Sequence, residues 1–248
     1  EVNAFLDLLK RSMEPFSKRI SVIENGTTRY YAVERRGIGI LKTEHGKFWQ
    51  YSFAIDDQWE KYSVIVKAEL DKNLLIPVFN NKDQLVLRAD SGCETGQVFG
   101  DLTCECHDQV HLALKTLEEI GEGMLINIPR QDGRGMGLTF KLATLWIQDV
   151  LGVNTVESAT LLAPGGVIDI RTYSGVICIL KFFGISKTCR INLATNNPDK
   201  AEVFAENGYM VVDYTPIVIE PNEHTKTHLQ AKQDHLGHKG LIKKGRKK

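Results

Sequence analysis

The sequence predicts an α/β protein of mixed α+β character: a mixed sheet flanked by helices, with a strand-rich N-terminal portion. Three observations carry that prediction. From about Thr28 to Asp90, short runs of alternating apolar residues follow one another, separated by Gly and Asn-Asn punctuation. Beyond Gln109 the pattern changes to helical periodicity interrupted by short apolar strands. With 248 residues and 42% hydrophobic content, the chain buries a sizeable core.

Taken in order, residues 2–12 predict a short amphipathic helix with Val2, Phe5, Leu8 and Leu9 on one face. TRYYAVER, GIGILKT and KFWQYSFAI read as strands, the last following a turn at His45-Gly46. KYSVIVKAEL, NLLIPVFN and QLVLRAD continue the series. QVHLALKTLEEI reads as a helix stopped by Gly121, GMLINIPR as a buried strand, and LTFKLATLWIQDVLG as a helix ending at Gly152. A helix near SGVICILKFFG, a strand at RINLATN, a helix at PDKAEVFAENG and a strand at YMVVDYTPIVI complete an α/β second half. No repeat interrupts it. The expected organisation is an N-terminal extension over 1–30, one catalytic-sized domain over 31–234, and a basic, flexible tail over 235–248.

Thirty-one basic residues balance thirty-one acidic ones, so no global field favours nucleic acid or a membrane surface. No apolar run reaches the length of a bilayer span, and the N-terminus lacks a signal-peptide pattern. A soluble, cytoplasmic protein is expected.

Chemistry concentrates between Arg88 and Gln109. Cys93 precedes Cys104 by eleven residues, and Cys106 follows two later, within polar, glycine-rich sequence. Three close thiols in a chain without a secretory segment suggest a metal before they suggest disulfides. On an extended strand Cys104 and Cys106 would face the same side. Three protein ligands leave one zinc position open, the catalytic arrangement, against the alternatives of a structural zinc or unligated thiols. Cys178 and Cys189, in or beside apolar runs, read as small buried hydrophobes.

Four further places carry weaker signals. RQDGRGMGL, from Arg130 to Leu138, follows a strand and opens a helix, so Asp132 and Arg134 would meet a polar ligand at a helix N-terminus. Asp169 and Arg171 flank Ile170 and would point the same way on a strand, where a surface ion pair is the plain reading. Thr195-Asn196-Asn197-Pro198, with Lys200 nearby, sits at a strand end before a helix, a place for phosphate contacts or an ordinary capped turn. Asn222-Glu223-His224 shows no chemistry by itself.

In this order the motifs resemble the GTP cyclohydrolase II family of riboflavin synthesis. The family's S-x-C-x-T-G followed by C-x-C is matched by Ser91, Cys93, Thr95, Gly96, Cys104 and Cys106. Its R-Q-E-G-R-x-x-G-L is matched by RQDGRGMGL, its D-x-R by Asp169 and Arg171, and its T-N-N-P-x-K by Thr195 to Lys200. Its N-N-E-H is matched by Pro221 to His224. The resemblance implies that family's fold and a homodimer. It also implies one zinc ion on Cys93, Cys104 and Cys106, whose activated water attacks C8 of GTP. It places Arg88, Ala89, Asp90, Ser91, Gly92 and Gln109 at the nucleotide, with Asp132, Gly133, Arg134, Thr155, Thr195 and Lys200. It assigns Asp169 as proton acceptor and Arg171 as the arginine at the departing pyrophosphate, with magnesium accompanying the triphosphate.

Departures accompany the match. Where the family has a tyrosine four residues beyond the lysine matched by Lys141, this chain has Leu145, which neither donates nor accepts a proton. Trp146 is adjacent and Tyr173 is a candidate substitute. The motif glutamate is Asp132, an arginine before the C-x-C pair is Thr103, and the first N of N-N-E-H is Pro221. Three functions follow. The first is a complete GTP cyclohydrolase II. The second is a divergent ring-opening hydrolase that stops at the formamidopyrimidine or acts on another base such as uracil. The third is a non-catalytic nucleotide binder, which the retained thiols with Asp169 and Arg171 argue against.

Overall fold

A computed structural model describes residues 2–56, 61–166 and 169–235. The basic tail from residue 236 onward lies outside the described residues. Ten strands form around one large sheet: β1 (Phe16–Glu24), β2 (Thr27–Thr43), β3 (Gly46–Ile55), β4 (Tyr62–Lys67), β5 (Glu69–Asp71), β6 (Ile76–Val78), β7 (Gln84–Ser91), β8 (Gly123–Ile128), β9 (Arg190–Leu193) and β10 (Val211–Tyr214). The main sheet runs β1-β2-β3-β4-β8-β7-β9-β10, and β5 and β6 pair separately. From β1 to β8 neighbours are antiparallel, and from β8 to β10 they are parallel. The expected mixed α/β class is what forms.

Several boundaries differ from expectation for identifiable reasons. The runs TRYYAVER and GIGILKT are one strand, β2, because the break in alternation at Arg36 is a bulge: Arg35 pairs with Phe53 and Gly37 with Ser52. KYSVIVKAEL divides between β4 and β5. Only Val211–Tyr214 of the last expected strand pairs, since Pro216 offers no amide to a ladder. β1 escapes a pattern reading because it is an exposed edge in which only Ile20 and Val22 are buried.

Seven helices are described: α1 (Val2–Met13), α2 (Cys106–Ile120), α3 (Leu138–Leu151), α4 (Thr155–Leu162), α5 (Ser174–Phe182), α6 (Glu202–Glu206) and α7 (Lys226–His235). Gly121 and Gly152 end α2 and α3 in the left-handed conformation, as their positions predict. The expected apolar face of α1 stands largely exposed, at Val2, Phe5 and Leu9. The helix α4 announces itself only through its cap: the Asn154 side chain accepts from the amides of Val156 and Glu157, and Glu157 returns a bond to the Asn154 amide.

Alternation along the central strands builds two cores. Val64, Val66, Met124, Ile126, Leu85, Leu87 and Ala89 face α5, which is buried along nearly its whole length. Cys178 and Cys189 belong to this layer. Edge-to-face contacts of Phe53 with Phe182 and of Tyr51 with Phe183, both at 4.9 Å, tie strand to helix. Ile65 and Leu125 face the other way, onto Ala113, Leu114 and Leu117 of α2. Arg88 and Asp90 occupy this α2 side of β7. Their placement follows from the period of two that sends Leu87 and Ala89 into the opposite core.

Candidate active site

The parallel part of the sheet ends in a pocket of about 1050 Å³, including its open mouth. Loops leaving β7, β8 and β9 supply its walls, the usual location of sites in open α/β sheets. One wall holds the thiols. Cys93 follows β7, a single π-helical turn covers Glu94–Val98, and Cys104 and Cys106 lead into α2. The expected strand at Cys104 and Cys106 does not form, because Cys104 lies in a loop and Cys106 begins α2, yet all three sulfurs converge within 4.8 Å, with Cys93 Sγ 3.7 Å from Cys104 Sγ.

That convergence depends on Gly96. A Cβ there would stand 2.6 Å from Cys104 Sγ and 3.2 Å from the Cβ atoms of Cys104 and Cys106. Gly92 has a similar role upstream: its amide bonds Ile128 O at 2.8 Å, where a Cβ would approach to 2.5 Å. Hydrogen bonds from Cys104 and Cys106 hold the Cys93 thiol far below its ordinary value. Cys104, although Cys106 bonds to it, is pushed up to about 11 by its bond to Cys93 and by burial. Cys106 is pushed well up by its bonds to both other sulfurs and by burial. A divalent ion would let all three thiols ionise. The donor set and its glycine cradle fit zinc with one position left open.

Beneath the thiols lies a sealed network. Arg88 donates to Asp90 Oδ1 from Nε at 3.1 Å and Nη2 at 2.8 Å, and also to Ala194 O and Gln109 Oε1. Asp90 Oδ2 accepts from Gln97 at 2.7 Å and Asn127 at 2.8 Å. Arg88 and Asp90 are 5% and 1% exposed. Ser91 lines the pocket, whereas Ala89 packs in the α5-side core and contributes its carbonyl to Lys200. Gly92 lies behind the thiol loop rather than on the pocket wall, for it must clear Ile128 O.

The opposite wall is the glycine-rich turn. Gly133 and Arg134 both adopt left-handed backbone, and Ile170 N bonds Arg134 O at 3.0 Å. Asp132 Oδ1 accepts from Glu94 N at 2.9 Å, joining this turn to the thiol loop, and burial raises its carboxyl. Arg134 Nη2 reaches Thr155 O at 3.2 Å at the start of α4, while its Nη1 is buried without a hydrogen-bond partner among the described residues. Burial, then Arg171, pushes the Arg134 guanidinium down. Asp169 and Arg171 lie on irregular chain rather than a strand, yet form the expected ion pair, with Arg171 Nε 2.9 Å from Asp169 Oδ1. Arg171 lines the pocket and Asp169 braces it from outside.

Lys200 is buried, 2.7 Å from Ala89 O, with its ammonium 5.2 Å from the Tyr173 ring centroid. Burial, with Arg88 and Arg171 nearby, lowers it to about 7. Thr195 sits beside it, its Oγ1 accepting from Asn197 N at 3.1 Å. Six cations line the pocket. Arg88, Arg171 and Lys232 are paired with Asp90, Asp169 and Glu105, while Arg134, Lys141 and Lys200 form no ion pair among the described residues. Three such cations and an orphaned guanidinium nitrogen call for an anion.

Glu105 and Lys232 are the pair the sequence did not suggest. Lys232 comes from α7, a polar helix without an apolar stripe, and its charge holds the buried Glu105 carboxyl below its usual range despite desolvation. The available signal was Asn222, whose side chain accepts from His224 N and Thr225 N at 2.8 Å and starts that helix. Of the departures, Thr103 donates twice to Asp101 and shapes the turn before Cys104. Leu145 is half-buried and off the pocket wall, Trp146 is 74% exposed, and no tyrosine lines the pocket among the described residues.

A family model described as GTP cyclohydrolase II matches residues 34–216. GTP cyclohydrolase-2 of Streptomyces coelicolor is 30% identical over 222 residues, covering 90% of this chain and 93% of that protein. GTP cyclohydrolase-2 of Picrophilus torridus is 33% identical over 198 residues, covering 80% of this chain and 94% of that one. Riboflavin biosynthesis protein RibBA of Phocaeicola vulgatus is 32% identical over 198 residues, and the chain spans only 45% of its length.

Proposed function

The chain belongs to the GTP cyclohydrolase II family, and we propose that it is a zinc-dependent hydrolase that opens the imidazole ring of GTP at C8. Formate and pyrophosphate leave, as in the first step of riboflavin synthesis. The observation that carries this reading is a single pocket lined by three convergent thiols and by three cations that form no ion pair among the described residues. Zinc on Cys93, Cys104 and Cys106 would lower the pKa of a water toward neutrality for attack on the purine.

The protein's own groups divide the remaining work. Arg134, Lys141 and Lys200 take the triphosphate, which enters with magnesium. Arg88, fixed by Asp90 and Gln109, holds the nucleotide without needing to reorder. Asp169 accepts a proton beside Arg171, and Arg171 stabilises the departing pyrophosphate.

Chelation followed by zinc restoration tests the proposal. Loss of GTP turnover on chelation and its return with zinc are the expected results, and turnover unaffected by thorough chelation would overturn it. A second reading, a reaction that stops at the formamidopyrimidine, is favoured by Leu145 and by the absence of tyrosine from the described pocket lining. Formate release separates the two. The chain would work as a homodimer: Leu142, Trp146 and Val150, spaced four apart on α3, expose a continuous apolar stripe. Sedimentation equilibrium should give a dimer, and Trp146→Glu should shift it toward monomer.

A further inference from the structure

We infer that the protein carries a second metal site, for a divalent transition ion such as zinc, formed by Glu44, His45 and His111. It lies where the turn between β2 and β3 meets α2. The same three atoms define a triangle. His45 Nε2 is 3.0 Å from His111 Nδ1, His111 Nδ1 is 3.2 Å from Glu44 Oε1, and His45 Nε2 is 3.6 Å from Glu44 Oε1. Zinc holds imidazole nitrogen and carboxylate oxygen at about 2.0–2.2 Å, so two ligands of a tetrahedral ion stand about 3.3–3.4 Å apart. The triangle is therefore close to one face of such a tetrahedron, with the fourth position left for water. Two imidazoles and a carboxylate are ligands suited to zinc, copper or nickel.

The 3.0 Å nitrogen–nitrogen distance is also that of a hydrogen bond, whose proton an ion bound to both nitrogens would displace. Two features bring the ligands together. The ring of His107, one helical turn earlier, lies against His111 with centroids 4.3 Å apart. Gly46, with φ of +150°, leaves room for the Glu118 side chain of α2: a Cβ there would fall 2.1 Å from Glu118 Oε2, and Glu118 is itself paired with Lys67. The two elements that supply the ligands thus touch directly.

An ion here would clip the β2–β3 turn to α2, the helix that begins at Cys106 and carries Gln109. His111 is five residues along from Cys106, a rise of about 7.5 Å. The site is separate from the thiols in sequence, ligand type and element, and it does not depend on the GTP reading.

Zinc bound per chain, measured after loading and dialysis, tests the inference. His45→Gln and His111→Gln should each hold one zinc fewer than the wild type, whatever the thiol site holds, with unchanged far-UV circular dichroism. Glu44→Gln, at an exposed turn position that cannot upset packing, should weaken the lost equivalent by about tenfold or more. Cobalt provides an independent view, since the thiol site gives thiolate charge-transfer bands and this one gives only weaker visible bands. Equal zinc content in the wild type and all three variants would overturn the site, as would cobalt bands confined to the thiolate signature.

Discussion

Two arginine–aspartate pairs, each with one residue between the partners, meet at the pocket. Arg88 and Asp90 point to one side of a central strand, 5% and 1% exposed, with both carboxylate oxygens taken by Arg88, Gln97 and Asn127. Asp169 and Arg171 lie on irregular chain, and the Asp169 side chain is 35% exposed. The same chemistry in a sealed setting makes a fixed floor, and in a half-open one it leaves a carboxylate partly open to solvent.

The comparison breaks first at the floor. Asp90→Asn leaves the Arg88 charge buried and uncompensated, so denaturant unfolding should show a loss of about 3–5 kcal/mol. Asp169→Asn should do the reverse. Its stability should change by no more than about 1 kcal/mol, while turnover of GTP falls about 10²–10⁴-fold. Equal stability losses in the two variants would erase the distinction.

Lys200 sharpens it through pH. The native ammonium loses its proton at about 7 and the unfolded one at 10.5. Between those values the unfolded state binds more protons, so stability rises with pH. The cost of burying Lys200 is full below pH 7 and gone by about 10.5. Lys200→Met should therefore gain most over the wild type near pH 6 and progressively less toward pH 10 in thermal unfolding. In the proposed role at the triphosphate Lys200 acts in its charged form, so the wild-type KM should climb above about pH 7, and the variant's should not follow that slope.

The smallest effect belongs to the turn that positions Arg171. Gly135 has φ of +87°, and a Cβ there would stand 3.0 Å from Arg171 N. Gly135→Ala should cost roughly 1–2 kcal/mol of stability and lower kcat more than it raises KM.

Much of this was legible in the sequence because its signals are local. Alternation placed β3, β4, β7 and β8, and glycine stops placed the ends of α2 and α3. The thiol spacing picked out a trio that does converge, although through a π-helical turn and a loop rather than a strand. What stayed hidden depends on tertiary context. β1 is an edge strand with polar alternation, and its pairing is decided by β2. The helix α7 has no apolar stripe, and its significance comes from Lys232 reaching a carboxylate 127 residues away. Ala89 was counted with its neighbours at the nucleotide, but the period of two turns it into the core, so only its carbonyl reaches Lys200.

The most direct test is incubation of zinc-loaded protein with GTP and magnesium, with the products resolved by mass. The account predicts a ring-opened diaminopyrimidine with formate and pyrophosphate. Unchanged GTP, with zinc bound and the fold intact, would contradict it.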